Sequence, residues 1–191
     1  MYNLYNQILL SIFLAVLVFS FQVSIAQIYT AKSGATTITF FSTSPLEDIT
    51  ATNKGAIIVY KGTTNEIQIK LTVMNFKFKN ALMEEHFNEN YMETEKFPNA
   101  TFKGKINEVV DLTKDGETKV TVTGKMEMHG VTKDETYEGT VTKSGNDFVL
   151  KTKFKVKLVD YNIKVPSLYV KNIAEIVDVD VQSTLEPYQK K

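Results

Sequence analysis

The sequence predicts an all-β fold: an antiparallel barrel of about eight strands with a short helical crossover, after an N-terminal signal peptide. Two observations support this prediction. Apolar and polar residues alternate along much of the chain, which is typical of strands with one face in water. Turn-forming stretches such as KDGE and KSGND separate the alternating segments.

The first element in the chain is a predicted signal peptide at residues 1–26. Ile8–Phe21 is an almost unbroken apolar run, shorter than the roughly 18 to 20 residues that span a bilayer. Small residues follow it, so we expect cleavage after Ala26. Because no Lys or Arg precedes the run, an uncleaved N-terminal anchor is the alternative. After cleavage the protein would be periplasmic or secreted, without a stable membrane span.

The mature chain, residues 27–191, has the size of one domain that can bury a substantial core. Its charge is balanced, with 22 basic and 22 acidic residues. Every basic residue is Lys, and Arg is the usual reader of phosphates and guanine edges. We therefore predict no nucleic-acid partner. The sequence contains no Cys, so packing alone must stabilise the domain.

Eight segments of the mature chain are predicted to be strands. The alternation is clearest in two segments. In KVTVTGKMEM, Met126 and Met128 share one face of the predicted strand. In DFVLKTKFKVKL, the lysines lie on the face opposite Phe154, Val156 and Leu158. Strands with one solvent-exposed face must protect the unpaired backbone groups at the edges of their sheet, either in a closed barrel or in a sandwich. The predicted strands are Ala35–Ser42, Lys54–Tyr60, Glu66–Val73, Ala100–Val110, Lys119–Gly130, Glu135–Thr142, Asp147–Leu158 and Glu175–Leu185.

The segment NALMEEHFNENYM interrupts the strand pattern. Met83, Phe87 and Tyr91 recur every four residues, which is helical spacing. We expect a short helix across one mouth of the barrel, with its aromatic residues facing inward and its acidic residues facing water. We expect Pro98 to end this helix. A second apolar connection, Asp160–Asn172, is expected to pack over the same cavity.

Three motifs resemble those of the YceI-like family. They are GKMEMHGVTKDET, MEEHFNENYMETEKFPNATFKGKI and VDYNIKVP, and they occur in the family's order. The resemblance implies an exported, eight-stranded lipocalin-like barrel that holds a long apolar molecule, such as a polyisoprenoid, an isoprenoid quinone or a fatty-acid-like lipid. In one respect the chain departs from the pattern. The family's Arg-Asp-x-His corresponds to Met83-Glu84-Glu85-His86, so the Arg and any head-group contact it makes are missing.

The candidate site residues are the apolar and aromatic side chains expected to face the interior. Such residues either fill a core or line a cavity, and the resemblance favours a cavity. The candidates for a polar mouth are His86, Glu84 and His129. The candidates for the apolar lining are Phe76, Phe78, Leu82, Met83, Phe87, Tyr91, Phe102, Met126, Met128, Phe154, Val156, Leu158, Ile163 and Leu168.

Neither a metal site nor a catalytic centre is expected. Only His86 and His129 supply imidazoles, and the sequence has no HExxH motif and no Cys. A GxSxG motif is also missing. Within Lys151–Lys157, a lysine occupies every second position of one predicted strand. A solvated outer face of that strand explains these lysines better than contact with anionic lipid does. We expect His129 to brace the turn at Gly130.

The sequence therefore predicts an exported, non-catalytic binder or carrier of a long-chain apolar ligand, with no cofactor. The second hypothesis is a cell-envelope interaction or structural module whose barrel is filled and whose function lies on its surface. The third is a lipid-modifying enzyme that uses His86 with Glu84 or Glu85. Members of the family pair as dimers, so the resemblance also raises a homodimer as an expectation.

Overall fold

The computed structural model describes residues 27–43, 48–164 and 174–189. The predicted signal peptide and Leu168 lie outside the described residues. A short helix, α1, spans Ala81–His86. The ten strands are β1 Ile28–Ser42, β2 Ile49–Asn53, β3 Ile57–Lys61, β4 Glu66–Thr72, β5 Lys77–Phe78, β6 Asn99–Ile106, β7 Gly116–Met128, β8 Val131–Ser144, β9 Asp147–Lys157 and β10 Ile176–Pro187.

The strands form one antiparallel barrel. Their order around it is β10, β9, β8, β7, β6, β4, β3 and β1, and β1 pairs back with β10 to close the ring. The two remaining strands extend the wall, since β2 pairs with the end of β1 and β5 pairs with β2. The predicted all-β barrel of eight strands with one short helix is confirmed, and the sandwich is excluded.

The first strand is longer than the sequence predicted. β1 begins at Ile28, and its register with β10 shifts between Ala31 and Thr36. Within this irregular stretch Gly34 has φ 72°, a left-handed conformation that glycine adopts without strain. The Thr36 hydroxyl lies 2.7 Å from the Ser183 hydroxyl of β10 in the buried interior. The break in alternation at this bulge explains why the prediction began only at Ala35.

The predicted strand Lys54–Tyr60 is wrong at its start, because the chain bends between β2 and β3. The buried Asn53 side chain accepts a hydrogen bond from the Gly55 amide at 2.9 Å and donates one to the Thr72 carbonyl, also at 2.9 Å. These bonds hold the bend against the end of β4. Similarly, the predicted strand Ala100–Val110 ends early, at Ile106.

One end of the barrel is closed by packed side chains. Tyr29 meets Phe148 edge to face with ring centroids 4.6 Å apart, and the Tyr60 hydroxyl donates to the Asn65 side chain at 2.9 Å. Both contacts lie where β1 and β9 begin and β3 ends. We call the opposite end, where β1 and β9 end and α1 lies, the helix end. The interior between the two ends holds the candidate site.

The helix α1 is fixed at its start by the chain around it. The Asn80 side chain accepts a hydrogen bond from the Leu82 amide at 2.9 Å, a typical N-cap. After His86 the helix continues as one wider turn, Phe87–Tyr91, in which the Met92 amide bonds to the Phe87 carbonyl at 2.9 Å. In the described part of the chain, no helix is both long and apolar enough to cross a membrane.

Candidate ligand-binding cavity

A cavity of about 430 Å³ lies inside the barrel. Small-molecule sites commonly enclose about 300 to 1,000 Å³. Its lining comes from strands on all sides of the barrel and from the connection 79–98 between β5 and β6, which contains α1 and which we call the crossover. Inward residues recur at every second position of a strand, which accounts for the apolar walls. β4 contributes Ile67, Ile69 and Leu71, and β10 contributes Val177, Val179 and Val181.

The structure brings almost all the candidate lining residues to this one cavity. Leu168 is the exception, since it lies outside the described residues. That these side chains bind a ligand stays a prediction. The candidates that line the cavity are Phe76, Phe78, Leu82, Met83, Phe87, Tyr91, Phe102, Met126, Met128, Phe154, Val156, Leu158 and Ile163.

Of the three candidates for a polar mouth, only His86 lines the cavity. Glu84 points away, and its carboxylate accepts hydrogen bonds from Lys77 Nζ at 2.5 Å and from the Phe78 amide at 3.3 Å. The bond from Lys77 is the main cause of a lowered pKa of Glu84. Glu84 therefore ties α1 to β5 and does not line the cavity. Its role at the mouth stays a prediction.

His129 does not line the cavity, and only 8% of its surface is exposed. With Gly130 it forms the tight turn between β7 and β8, and φ is 52° and 74° at the two residues. His129 Nδ1 lies 3.0 Å from the Tyr161 carbonyl oxygen, and Nε2 lies 3.4 Å from the Glu93 carboxylate. The ring thus braces the turn against two distant segments.

Four phenylalanine rings join the crossover to the wall. Phe87, after α1, packs on Phe40 of β1, on Phe76 and on Phe78 of β5, with ring centroids 5.0 to 5.7 Å apart. We call these residues the aromatic cluster. The sequence analysis missed Phe40, although its alternation with Thr37 and Thr39 was a usable signal. Because all four rings also line the cavity, the same contacts hold the crossover and shape the site.

A glycine pair makes room for another lining ring. Gly104 of β6 lies opposite Gly124 of β7. A Cβ added at Gly104 would lie 2.7 Å from the Phe102 ring, and one added at Gly124 would overlap with the Gly104 Cα and the Lys103 carbonyl. The Phe102 ring can therefore occupy its place only because position 104 is glycine, and the close approach of β6 and β7 requires glycine at position 124.

Between β8 and β9 the wall is completed by aromatic residues. The two strands pair only from Gly139 and Thr152 towards their hairpin. Beyond that point Tyr137 stacks on Phe154 with centroids 4.1 Å apart, and the Tyr161 hydroxyl donates to Glu135 at 3.0 Å. Burial raises the pKa of Tyr137 to about 12 and also raises the pKa of Tyr161. Both phenols are therefore neutral wall groups near neutral pH.

The lining offers few groups for bond chemistry. Within residues 27–43, 48–164 and 174–189 there is no group of three or more His, Asp or Glu side chains that could hold a metal ion. Among the side chains that line the cavity, His86 and Lys151 are the ionisable groups other than tyrosine. The arrangement can exclude water from an apolar molecule.

Comparison with known proteins identifies the family. The model of the YceI-like domain matches residues 29–185. The chain belongs to the YceI-like family. The match covers the barrel from the first residues of β1 to the last residues of β10. Among proteins with curated functions, none matches the sequence.

Solved structures share the fold of this YceI-like chain at low sequence identity. A polyisoprenoid binding domain from Saccharophagus degradans is 18% identical with a TM-score of 0.73, over 84% of this chain and 98% of that one. BcnA from Burkholderia cenocepacia is 15% identical with a TM-score of 0.68, over 81% and 98%. The YCEI protein of Campylobacter jejuni is 13% identical with a TM-score of 0.53, over 71% and 81%.

Proposed function

We propose that this protein is an exported, non-catalytic carrier of a long apolar molecule, which it holds in the interior of the barrel. The observation that carries the proposal is the cavity of about 430 Å³ with its almost wholly apolar lining. A filled core, as the hypothesis of a purely structural module requires, would leave no such space. The likeness to a polyisoprenoid binding domain supports a polyisoprenoid, an isoprenoid quinone or a related lipid as the ligand.

The energetics favour a long ligand over a small one. Burial of an apolar chain contributes about 0.8 kcal/mol per CH₂, so about fifteen buried carbons contribute about 12 kcal/mol. Association costs about 4 to 15 kcal/mol in lost freedom of motion. Only a chain that runs along much of the barrel therefore binds usefully. The inward rows of β4, β7 and β10 supply such a path from the closed end to the helix end.

The head group of the ligand is proposed to be weakly polar. The chain has no Arg, and the position of the family's Arg is occupied by Met83, whose side chain lines the cavity. Near it, Asn80 and His86 supply the polar atoms on the crossover. A carbonyl or hydroxyl needs only one or two hydrogen bonds, whereas a diphosphate would need several paired cations. A quinone or prenol suits these residues better.

Native mass spectrometry of the mature protein, followed by lipid extraction, tests the proposal. We expect a bound lipid after mild purification, or uptake of an added prenol or isoprenoid quinone by the stripped protein. In the variant Val122→Phe, which adds a ring on the inner wall, uptake should fall strongly. The matched control is Val109→Phe, because Val109 is 89% exposed, follows β6 at the closed end and does not line the cavity. A ligand-free mass together with no uptake by the unaltered protein would refute the carrier function.

A further inference from the structure

Most of the large exposed apolar side chains lie at the helix end of the barrel, while Val109 and Tyr188 lie at the closed end. Among the described residues, Met74 is 51% exposed, Leu82 55%, Val159 62% and Ile176 48%. Met74 follows β4, Leu82 belongs to α1, Val159 follows β9, and Ile176 begins β10. These four residues, which we call the apolar rim, therefore surround one end of the barrel on several sides. Isolated exposed apolar residues are common, whereas a group at one end suggests a contact surface.

The apolar rim is continuous with the cavity. Leu82 belongs to both, since its side chain is half exposed and also lines the interior. Next to Val159 in sequence, Leu158 lines the cavity, and next to Ile176, Val177 does so. An apolar chain that moved across the rim would pass from one apolar surface to another without crossing a polar wall. The rim is thus placed where a ligand could enter or leave.

The charges around the rim are largely neutralised by one another. Lys77 Nζ lies 2.5 Å from the Glu84 carboxylate, and Lys155 Nζ lies 2.5 Å from Asp178. A third ion pair, with a 2.8 Å separation, joins Lys133 to Asp160 beside Val159. In these three pairs each lysine is neutralised by a carboxylate, so the pairs do not act as a cationic cluster of the kind that binds anionic lipid. The surface that matches this rim is apolar and is covered by a zwitterionic head-group layer without net charge.

We propose that the apolar rim docks on a zwitterionic lipid bilayer and that the apolar ligand crosses at this contact between membrane and cavity. The inference rests on the proposed carrier function. On docking, Met74, Leu82, Val159 and Ile176 enter the interfacial region of the bilayer, where apolar side chains are stabilised. The paired lysines and acids remain at the level of the head groups. Docking of this kind depends on apolar area and is insensitive to salt.

The absence of Trp from the sequence makes a site-specific fluorescence test direct. Met74→Trp and Val159→Trp each place one reporter on the rim, and neither parent residue lines the cavity. The matched control is Val109→Trp, because Val109 is 89% exposed and follows β6 at the closed end. Each stripped variant is mixed with phosphatidylcholine vesicles that carry bromine on their acyl chains.

On these vesicles, the emission of both rim reporters should shift to shorter wavelength and lose intensity through quenching by bromine. The emission of the Val109→Trp control should stay unchanged. Equal behaviour of the rim and control reporters would overturn the proposal, as would a requirement for anionic lipid. A blue shift that appears without vesicles and grows with protein concentration would also overturn it, because the rim would then contact a second copy of the chain.

A second measurement separates the docking surface from the carrier function. The double variant Met74→Ser/Val159→Ser should load a prenol from ethanol solution as the unaltered protein does, and should load it several-fold more slowly from phosphatidylcholine vesicles. Circular dichroism shows whether the double variant is folded, and the reporter variants give an independent result if it is not. If the double variant and the unaltered protein load from vesicles at equal rates, docking is refuted and the carrier function is not. Failure of the unaltered protein to load from either source would refute the carrier function.

Discussion

At the scale of single residues, the shape of the cavity depends on positions where only one kind of side chain fits. Gly104 leaves room for the Phe102 ring, and Gly124 opposite it lets β6 and β7 approach closely. His129 occupies a left-handed turn position and contacts the Tyr161 carbonyl and the Phe97 ring, with 3.0 Å and 4.5 Å separations. These residues do not extend the apolar surface, but they determine where its parts lie.

The variant Gly124→Ala tests the glycine pair. The added methyl group would overlap with backbone atoms of Gly104 and Lys103, so β6 and β7 must separate. Overpacking of this kind costs about 1 to 3 kcal/mol of unfolding free energy. Urea unfolding followed by circular dichroism measures the loss. As a control, Lys125→Ala removes a surface ion pair with Asp134 and should cost less than about 1 kcal/mol. Equal effects of the two variants would contradict the packing argument.

Substitution of His129 tests its role as a brace. His129→Ala should lower the unfolding free energy by about 1 to 3 kcal/mol, because the buried Tyr161 carbonyl loses its donor. His129→Asn should cost less than His129→Ala, since Asn tolerates the left-handed conformation better. Urea unfolding of both variants measures the difference. If the two substitutions are equally harmless, the ring nitrogen does not hold this turn.

At the scale of elements, the crossover is attached to the barrel mainly through side chains. Its attachment depends on the aromatic cluster and on the bond from Lys77 to Glu84. Elements attached mainly through side chains open locally at lower free energy than paired strands do. We therefore expect α1 to exchange its amide hydrogens faster than β7 or β10.

The attachment of α1 should weaken in acid. Because the bond from Lys77 lowers the pKa of Glu84 in the folded state, this stabilisation is complete above the ordinary Glu pKa and is lost as the pH falls through the lowered one. Hydrogen exchange of residues 81–91, compared between neutral and acid pH after correction for intrinsic rates, measures the effect. In Glu84→Gln the exchange should be fast at both pH values. If hydrogen exchange in Glu84→Gln still rises in acid as it does in the unaltered protein, other carboxylates cause the acid response.

Sequence alternation predicted the walls well, because inward positions repeat along a strand whatever the partner strand is. It placed Met126 and Phe154 on inward faces, as the structure does. It could not predict the bend after Asn53, which depends on a hydrogen bond to Thr72 in another strand. The contact partners of His129 were unpredictable for the same reason, since they come from segments that only folding brings together.

At the scale of the whole molecule, closure of the sheet produces one hydrophobic interior with two different ends. The closed end is packed by Tyr29, Tyr60 and Phe148, whereas the helix end combines α1, the aromatic cluster and the apolar rim. The chain contains no Cys, so this asymmetry is maintained by packing and hydrogen bonds alone. A barrel packed at one end and open to apolar contact at the other suits a carrier better than a scaffold.

The central claim is that the interior accepts a long apolar chain, and the dependence of affinity on chain length tests it most directly. Dissociation constants of a series of linear primary alcohols should be measured with the stripped protein by calorimetry. The account predicts that the binding free energy grows by up to about 0.8 kcal/mol per added CH₂ until the cavity is full, and that Val122→Phe moves this limit to shorter chains. An affinity that is independent of chain length, or unaffected by Val122→Phe, would contradict it.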